Sequence, residues 1–296
     1  MTTWRGIRTL FVGSLLLFAA ACAQDGGAAP GGSGESAGDG SVDRDGVALR
    51  VDQVGGLLPP AARVARLPMV AVYSDGRVIA QGPQILVYPG PALPNLQVQR
   101  IATEEVDRLV ERARAAGVGA GTDLGRPSVA DAPSTRFTVS SATGTAVLEV
   151  YALTEGTGQA AGLTEAQRTA REELQKLLAM LTDVSGALGP DNVGAAEPYR
   201  PDALAAVVSA WRDETASGLP APPAVAWPGP PLPGAPLRPG LDQGCVEVRG
   251  AEATKLLEVA GKATAITPWT SGGDRWNVSL RPLLPDETGC ADLSTE

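Results

Sequence analysis

Pro68-Met69-Val70-Ala71-Val72-Tyr73-Ser74-Asp75-Gly76-Arg77-Val78-Ile79-Ala80-Gln81 carries the clearest hairpin signal in the chain. Val70, Val72 and Tyr73 lead into Asp75-Gly76, and Val78 and Ile79 lead out. Asp-Gly between apolar, β-branched runs favours a tight primed turn, whose central residues must tolerate positive φ. An antiparallel pair is therefore expected at this point.

Outward from it, Val47 to Val51 predicts a first strand, and Ile85 to Tyr88 a further short strand stopped by Pro89-Gly90. Thr103 is placed as the cap of a helix through Ala116. Val106, Leu109, Val110 and Ala113 share one face of it, Glu104 and Glu105 fall in its first turn, and Gly117 follows its end. Thr135 to Leu153 predicts a second hairpin turning between Ser141 and Gly144. A long helix is expected from Thr164 to about Leu188, opened by the Thr164/Gln167 capping-box pair and striped by Leu174, Leu177, Leu178 and Leu181.

Pro201 to Trp211 divides its signals: its alanines favour helix, while Leu204, Val207 and Val208 between proline-bounded flanks favour a buried strand, the reading preferred here. The nine prolines between Leu219 and Gly240 argue against regular structure and for an extended surface crossing pinned by Trp227. The last part predicts a strand over Cys245 to Val248 and a helix over Ala251 to Ala263. A hairpin of Ile266 to Trp269 with Arg275 to Arg281 follows, joined by Ser271-Gly272-Gly273-Asp274. Together these give an α+β fold, mostly antiparallel sheet with two or three packed helices. The expected divisions are 1–21 a signal peptide, 22–45 a Gly/Ser-rich tether, 46–218 the α+β domain, 219–240 the crossing segment, and 241–296 a strand-helix-hairpin unit packed on the same domain.

The first 21 residues carry an address. Arg5 and Arg8 precede the uncharged run Leu10 to Ala21, about a dozen residues long and so of signal h-region length. A bilayer-spanning helix needs roughly 20. The run ends in Ala19-Ala20-Ala21-Cys22, which resembles the bacterial lipobox, with Ala19 where Leu is usual. That resemblance implies cleavage before Cys22 and a diacylglyceryl thioether on its sulfur. The Gly- and Ser-rich stretch from Gln24 to Val42 suits a spacer between membrane and folded part.

The net charge is −9, or about −11 once Arg5 and Arg8 are removed, and no basic cluster interrupts it; nucleic acid and anionic lipid surfaces are poor partners for such a chain. Setting Cys22 aside leaves Cys245 and Cys290, expected as a disulfide in an oxidising compartment, or else as two buried thiols. A metal site would lack a third soft ligand, and no cofactor is implied. The absence of histidine removes Ser-His-Asp and Cys-His activation and the usual zinc sites. Gly34-Glu35-Ser36-Ala37-Gly38 matches a nucleophile-elbow pattern but lies in the spacer without a histidine partner. Gly117 to Gly121 follows a helix rather than a strand and is no dinucleotide loop.

Two readings of activity stay open. Asp123 and Asp131 flank a Gly/Pro loop, and Asp286-Glu287 sit in a C-terminal turn, so a carboxylate-dependent, glycosidase-like hydrolase is one. Trp269 and Trp276 lie on opposite arms of one hairpin, and an aromatic surface for a glycan or an envelope protein is the other, against plain core packing. A structural envelope role would show neither feature.

Ser74 to Ile79, Pro91 to Leu96 and Arg281-Pro282-Leu283-Leu284-Pro285-Asp286-Glu287 resemble uncharacterised lipoproteins of high-GC Gram-positive bacteria. The resemblance implies an envelope location and assigns no catalytic residue. The expectation is a lipoprotein anchored through Cys22 on the extracytoplasmic face of the cell membrane, binding an envelope partner or ligand.

Overall fold

A computed structural model describes residues 46–141, 144–155, 162–212, 222–238, 240 and 242–293. The signal segment, Cys22, the spacer and the Gly34 to Gly38 motif lie outside the described residues. The fold is α+β, built on two mostly antiparallel sheets.

The first sheet contains β1 (Val47–Gly55), β2 (Val70–Tyr73), β3 (Arg77–Gln81), β4 (Leu96–Arg100), β5 (Pro133–Ser141), β6 (Gly144–Tyr151) and β7 (Glu197–Pro198). Its order is β6-β5-β1-β2-β3-β4-β7, antiparallel throughout. α2 (Thr103–Ala115) and α3 (Glu165–Thr182) cover one face, following the short α1 (Pro60–Val64) in chain order. Val106, Leu109, Leu174, Leu177 and Leu181 meet Leu49, Val51, Val70, Val72 and Phe137 there. The period-2 alternation sends Ala71, Tyr73 and Ile79 to the other face, where Leu67, Leu96 and Leu284 cover them. β2 is thus buried on both faces.

The β2–β3 hairpin forms as expected, with a different turn. Val72 pairs with Val78, the Gly76 N–H donates to the Tyr73 carbonyl, and only Gly76 has positive φ, at 85°. A two-residue type I′ turn would need positive φ at both central residues. Asp75 instead accepts from the Arg77 N–H at 3.0 Å and from Arg77 Nε at 2.7 Å, which holds the longer turn.

The second sheet contains β8 (Ala203–Ala210), β9 (Val225–Ala226), β10 (Ala235–Pro236), β11 (Gln243–Arg249), β12 (Trp269–Ser271) and β13 (Asp274–Pro282). Its order is β10-β11-β8-β13-β12-β9, with only β12 and β9 parallel. β8 pairs with β11 and β13, so the stretch from 203 to 210 is strand and belongs with the C-terminal elements rather than with the sheet that precedes it. α5 (Gly250–Ala260) covers one face through Ala253, Leu256 and Ala260, against Leu204, Ala206 and Val208. On the other face Val64 of α1 and Leu293 of α6 (Cys290–Leu293) meet Ala203, Ala205 and Val207. The proline-rich crossing contributes two two-residue strands, β9 and β10. Trp227 pins it: its ring stands edge-on to Trp269 at 5.5 Å, and its indole N–H donates to the Pro230 carbonyl at 2.7 Å.

Three local expectations need correction. Residues 85–88 form no strand. The N-cap of α2 is Ala102, without a side-chain cap bond, and Thr103 is already helical. The long helix has its capping box but breaks at Asp183, whose φ of −135° ends α3 and whose side chain caps α4 (Val184–Leu188) by accepting from the Gly186 N–H.

Candidate functional site

The acidic pair Asp286-Glu287 lies where the two sheets meet. The Pro282 to Pro285 turn carries it back from β13 toward β1 and β2. Arg281, 3% exposed, donates both terminal nitrogens to Glu287, at 2.5 and 2.7 Å, and the Leu284 N–H adds a third bond at 2.9 Å. Arg50 of β1 reaches across to Asp286 at 3.2 Å and Glu287 at 3.3 Å, while its Nε holds Asp52 at 2.9 Å. Tyr73 of β2 donates its hydroxyl to Asp286 at 2.5 Å.

Burial alone would raise the Glu287 pKa, but the bidentate bond and charge of Arg281 outweigh it, and the carboxyl is held below its ordinary value. Burial and the bond to Asp286 push the Tyr73 hydroxyl far up. Burial opposes charge on Arg50, yet Asp52, Glu287 and Asp286 hold its guanidinium firmly protonated. A recess of about 350 Å³ opens beside this cluster, with Arg50, Arg66, Arg136 and Arg281 facing Asp52, Asp286, Glu287 and Asp292, so its formal charges balance. A two-carboxylate hydrolase needs one protonated acid as proton donor. Here every oxygen of the pair is engaged and Glu287 is held ionised. The cluster braces the sheets, and Glu287 is not held in the protonated form that such a donor needs.

Asp123 and Asp131 do not join it. Asp123 accepts from the Gly125 N–H at 2.9 Å and from Gln167 Nε2 at 2.9 Å, bonds that depress its pKa and tie its loop to α3. Asp131 takes a left-handed conformation, φ 53°. No group of three or more acidic, Cys or His residues among the described residues is arranged to hold a metal ion.

Trp269 and Trp276 face each other as a cross-strand pair, but their surroundings differ. Trp269 is fully buried and belongs to the core of the second sheet. Trp276 is half-buried and borders a recess of about 370 Å³ with Val208, Ser209, Pro233, Pro236 and Gln243. The Gln243 side-chain oxygen is buried without a hydrogen-bond partner. Only Trp276 of the two can meet a ligand.

Cys245 on β11 and Cys290 at the start of α6 form a disulfide, with Cα atoms 6.0 Å apart. What residue patterning missed is the apolar loop between β3 and β4. Ile85, Leu86, Val87 and Tyr88 are 66%, 104%, 50% and 64% exposed. The uninterrupted apolar run was itself the signal, since a strand there would still need a partner strand. No family model, curated protein or solved structure matches the chain.

Proposed function

We propose that this chain is an exported lipoprotein held at the outer face of the cytoplasmic membrane by a diacylglyceryl group on Cys22, and that it binds an envelope partner rather than catalysing a reaction. The observation that carries the reading is the Cys245–Cys290 disulfide. Such bonds persist in extracytoplasmic compartments, and this one leaves Cys22, directly after a signal-like apolar run, as the one cysteine outside the pair. No helix among the described residues is long and apolar enough to cross a membrane, so in this reading attachment falls to the lipid. The Arg-clamped Asp286 and Glu287 favour binding over hydrolysis. The recess beside Trp276, with the unpartnered oxygen of Gln243 nearby, suits a ligand that pairs an apolar face with N–H or O–H donors, as a glycan or a peptide does.

Intact mass of the membrane-extracted protein, before and after reduction and alkylation, tests this. The expected result is an N-terminus at Cys22 carrying diacylglycerol, with two alkylatable thiols appearing only after reduction. A chain cleaved elsewhere and bearing no lipid would overturn the anchored reading.

A further inference from the structure

We propose that the loop between β3 and β4 is a second membrane contact, dipping the side chains of residues 85–88 into the leaflet that carries the lipid anchor. The inference rests on the anchored reading above.

Four consecutive exposed apolar side chains are a liability on a water-soluble surface unless they have a use. This loop presents them in a fixed way. On its upstream limb the Gly82 N–H donates to the Asn95 carbonyl at 2.8 Å, and Asn95 Nδ2 donates to the Pro83 carbonyl at 2.8 Å. On its downstream limb Gly90 accepts from the Ala265 N–H at 2.9 Å, and the Ala92 N–H donates to the Ala263 carbonyl at 3.0 Å. Between these pins no hydrogen bond from the other described residues reaches residues 85–88.

The occupant follows from the loop's chemistry. Residues 78–99 contain no charged side chain. Beside the tip, exposed Gln84 donates through Nε2 to the Gly82 carbonyl at 2.8 Å and exposed Asn95 donates through Nδ2 to the Pro83 carbonyl, so each has a donor engaged within the loop itself. A protein partner is ordinarily met by an apolar patch with a polar, hydrogen-bonding rim. A bilayer asks for apolar side chains without charge, and Tyr suits the headgroup level. Unpaired backbone is not tolerated in the hydrocarbon interior, which sets the depth: the main chain stays among headgroups and water while the side chains reach the acyl boundary.

The length of chain ahead of the fold permits this. Gly46 lies beside Ser74 at one end of the first sheet, and β3 runs from that end to Gln81 at the other, about 15 Å away along the strand. The 24 residues from Cys22 to Asp45 could extend to at most about 80 Å, well beyond that distance. An anchor at Cys22 therefore leaves the loop free to reach the same leaflet.

The test is Leu86→Trp in the full chain, reconstituted into phosphatidylcholine vesicles with and without brominated acyl chains, with the wild-type chain giving the background of the native tryptophans. The emission added by the substitution should shift to the blue on vesicles, be quenched by the brominated lipid, and resist acrylamide severalfold more than in solution. High salt should not reverse this, because the loop is uncharged. Ile85→Ser with Val87→Ser on the same background should return the probe to water. A probe equally open to acrylamide with and without vesicles overturns the proposal. So does shielding that appears without vesicles and grows with protein concentration, which would make a second copy the occupant. The mass at Cys22, read on the same sample, reports the anchor separately: an unlipidated chain whose probe still enters the bilayer supports the loop and sinks the anchor.

Discussion

Glu287 shows how a single side chain can look catalytic in a sequence and be structural in the fold. Its neighbours in the brace, Arg50 and Tyr73, lie more than 200 residues away in the chain, so nothing local marked them as partners. The acidic pair was legible; Arg50, which bonds both of its members from the far end of the chain, was not. Glu287→Gln leaves Arg281 buried with its charge uncompensated, and a loss of about 3–5 kcal/mol is expected in urea unfolding. The pH dependence follows from the same bond. A carboxyl held low in the fold contributes its stabilisation above its unfolded pKa and loses it as pH falls through the folded value. Stability should be level from neutrality down to about pH 5 and decline below that, through the ordinary carboxylate range. The decline should be shallower in Glu287→Gln.

At the scale of elements, the strongly periodic segments matched their expectations, while one N-cap, one helix end and one turn type did not. The leucine stripe of α3 and its capping box stand as expected, because the burial of one helix face is written in the spacing. Turn type was less legible. The primed geometry expected at Asp75-Gly76 occurs instead at Gly272-Gly273, where both residues have positive φ, 65° and 92°, between the paired Ser271 and Asp274. At the first hairpin the carboxylate of Asp75 and the Ile101 N–H, which donates to the Gly76 carbonyl at 2.9 Å, decide the turn, and the second of these is tertiary. Residues 85–88 have strand-forming side chains but no neighbouring strand to pair with, which propensity cannot foresee. Gly76→Ala should cost about 1–3 kcal/mol, since φ is positive and a Cβ would collide with the Ile101 carbonyl oxygen. Gly272→Ala meets open space at positive φ and should cost only about 1 kcal/mol. Paired thermal melts of the two variants separate the collision from the φ penalty.

For the whole molecule, helices sheath one face of each sheet, the Pro282 to Glu287 turn ties the second sheet to the first, and the disulfide pins α6 to the second sheet. The α+β class was legible from the alternation of hairpins and helices; the division into two sheets was not, because β8 precedes the proline-rich crossing in sequence yet pairs with the strands after it. The disulfide closes 45 residues that include α5, β12 and β13. In the chain-entropy model such a loop is worth about 4 kcal/mol. Cys245→Ala with Cys290→Ala should lower Tm by about 10 °C, read by calorimetry against the oxidised chain. The position of β1 has a mechanical consequence. The chain enters the fold at Gly46 and passes directly into an interior strand, laddered to β2 on one side and β5 on the other. A pull transmitted through that entry cannot peel away a free edge; it must shear two hydrogen-bonded ladders at once, so drag on the body is resisted by a strand held on both sides.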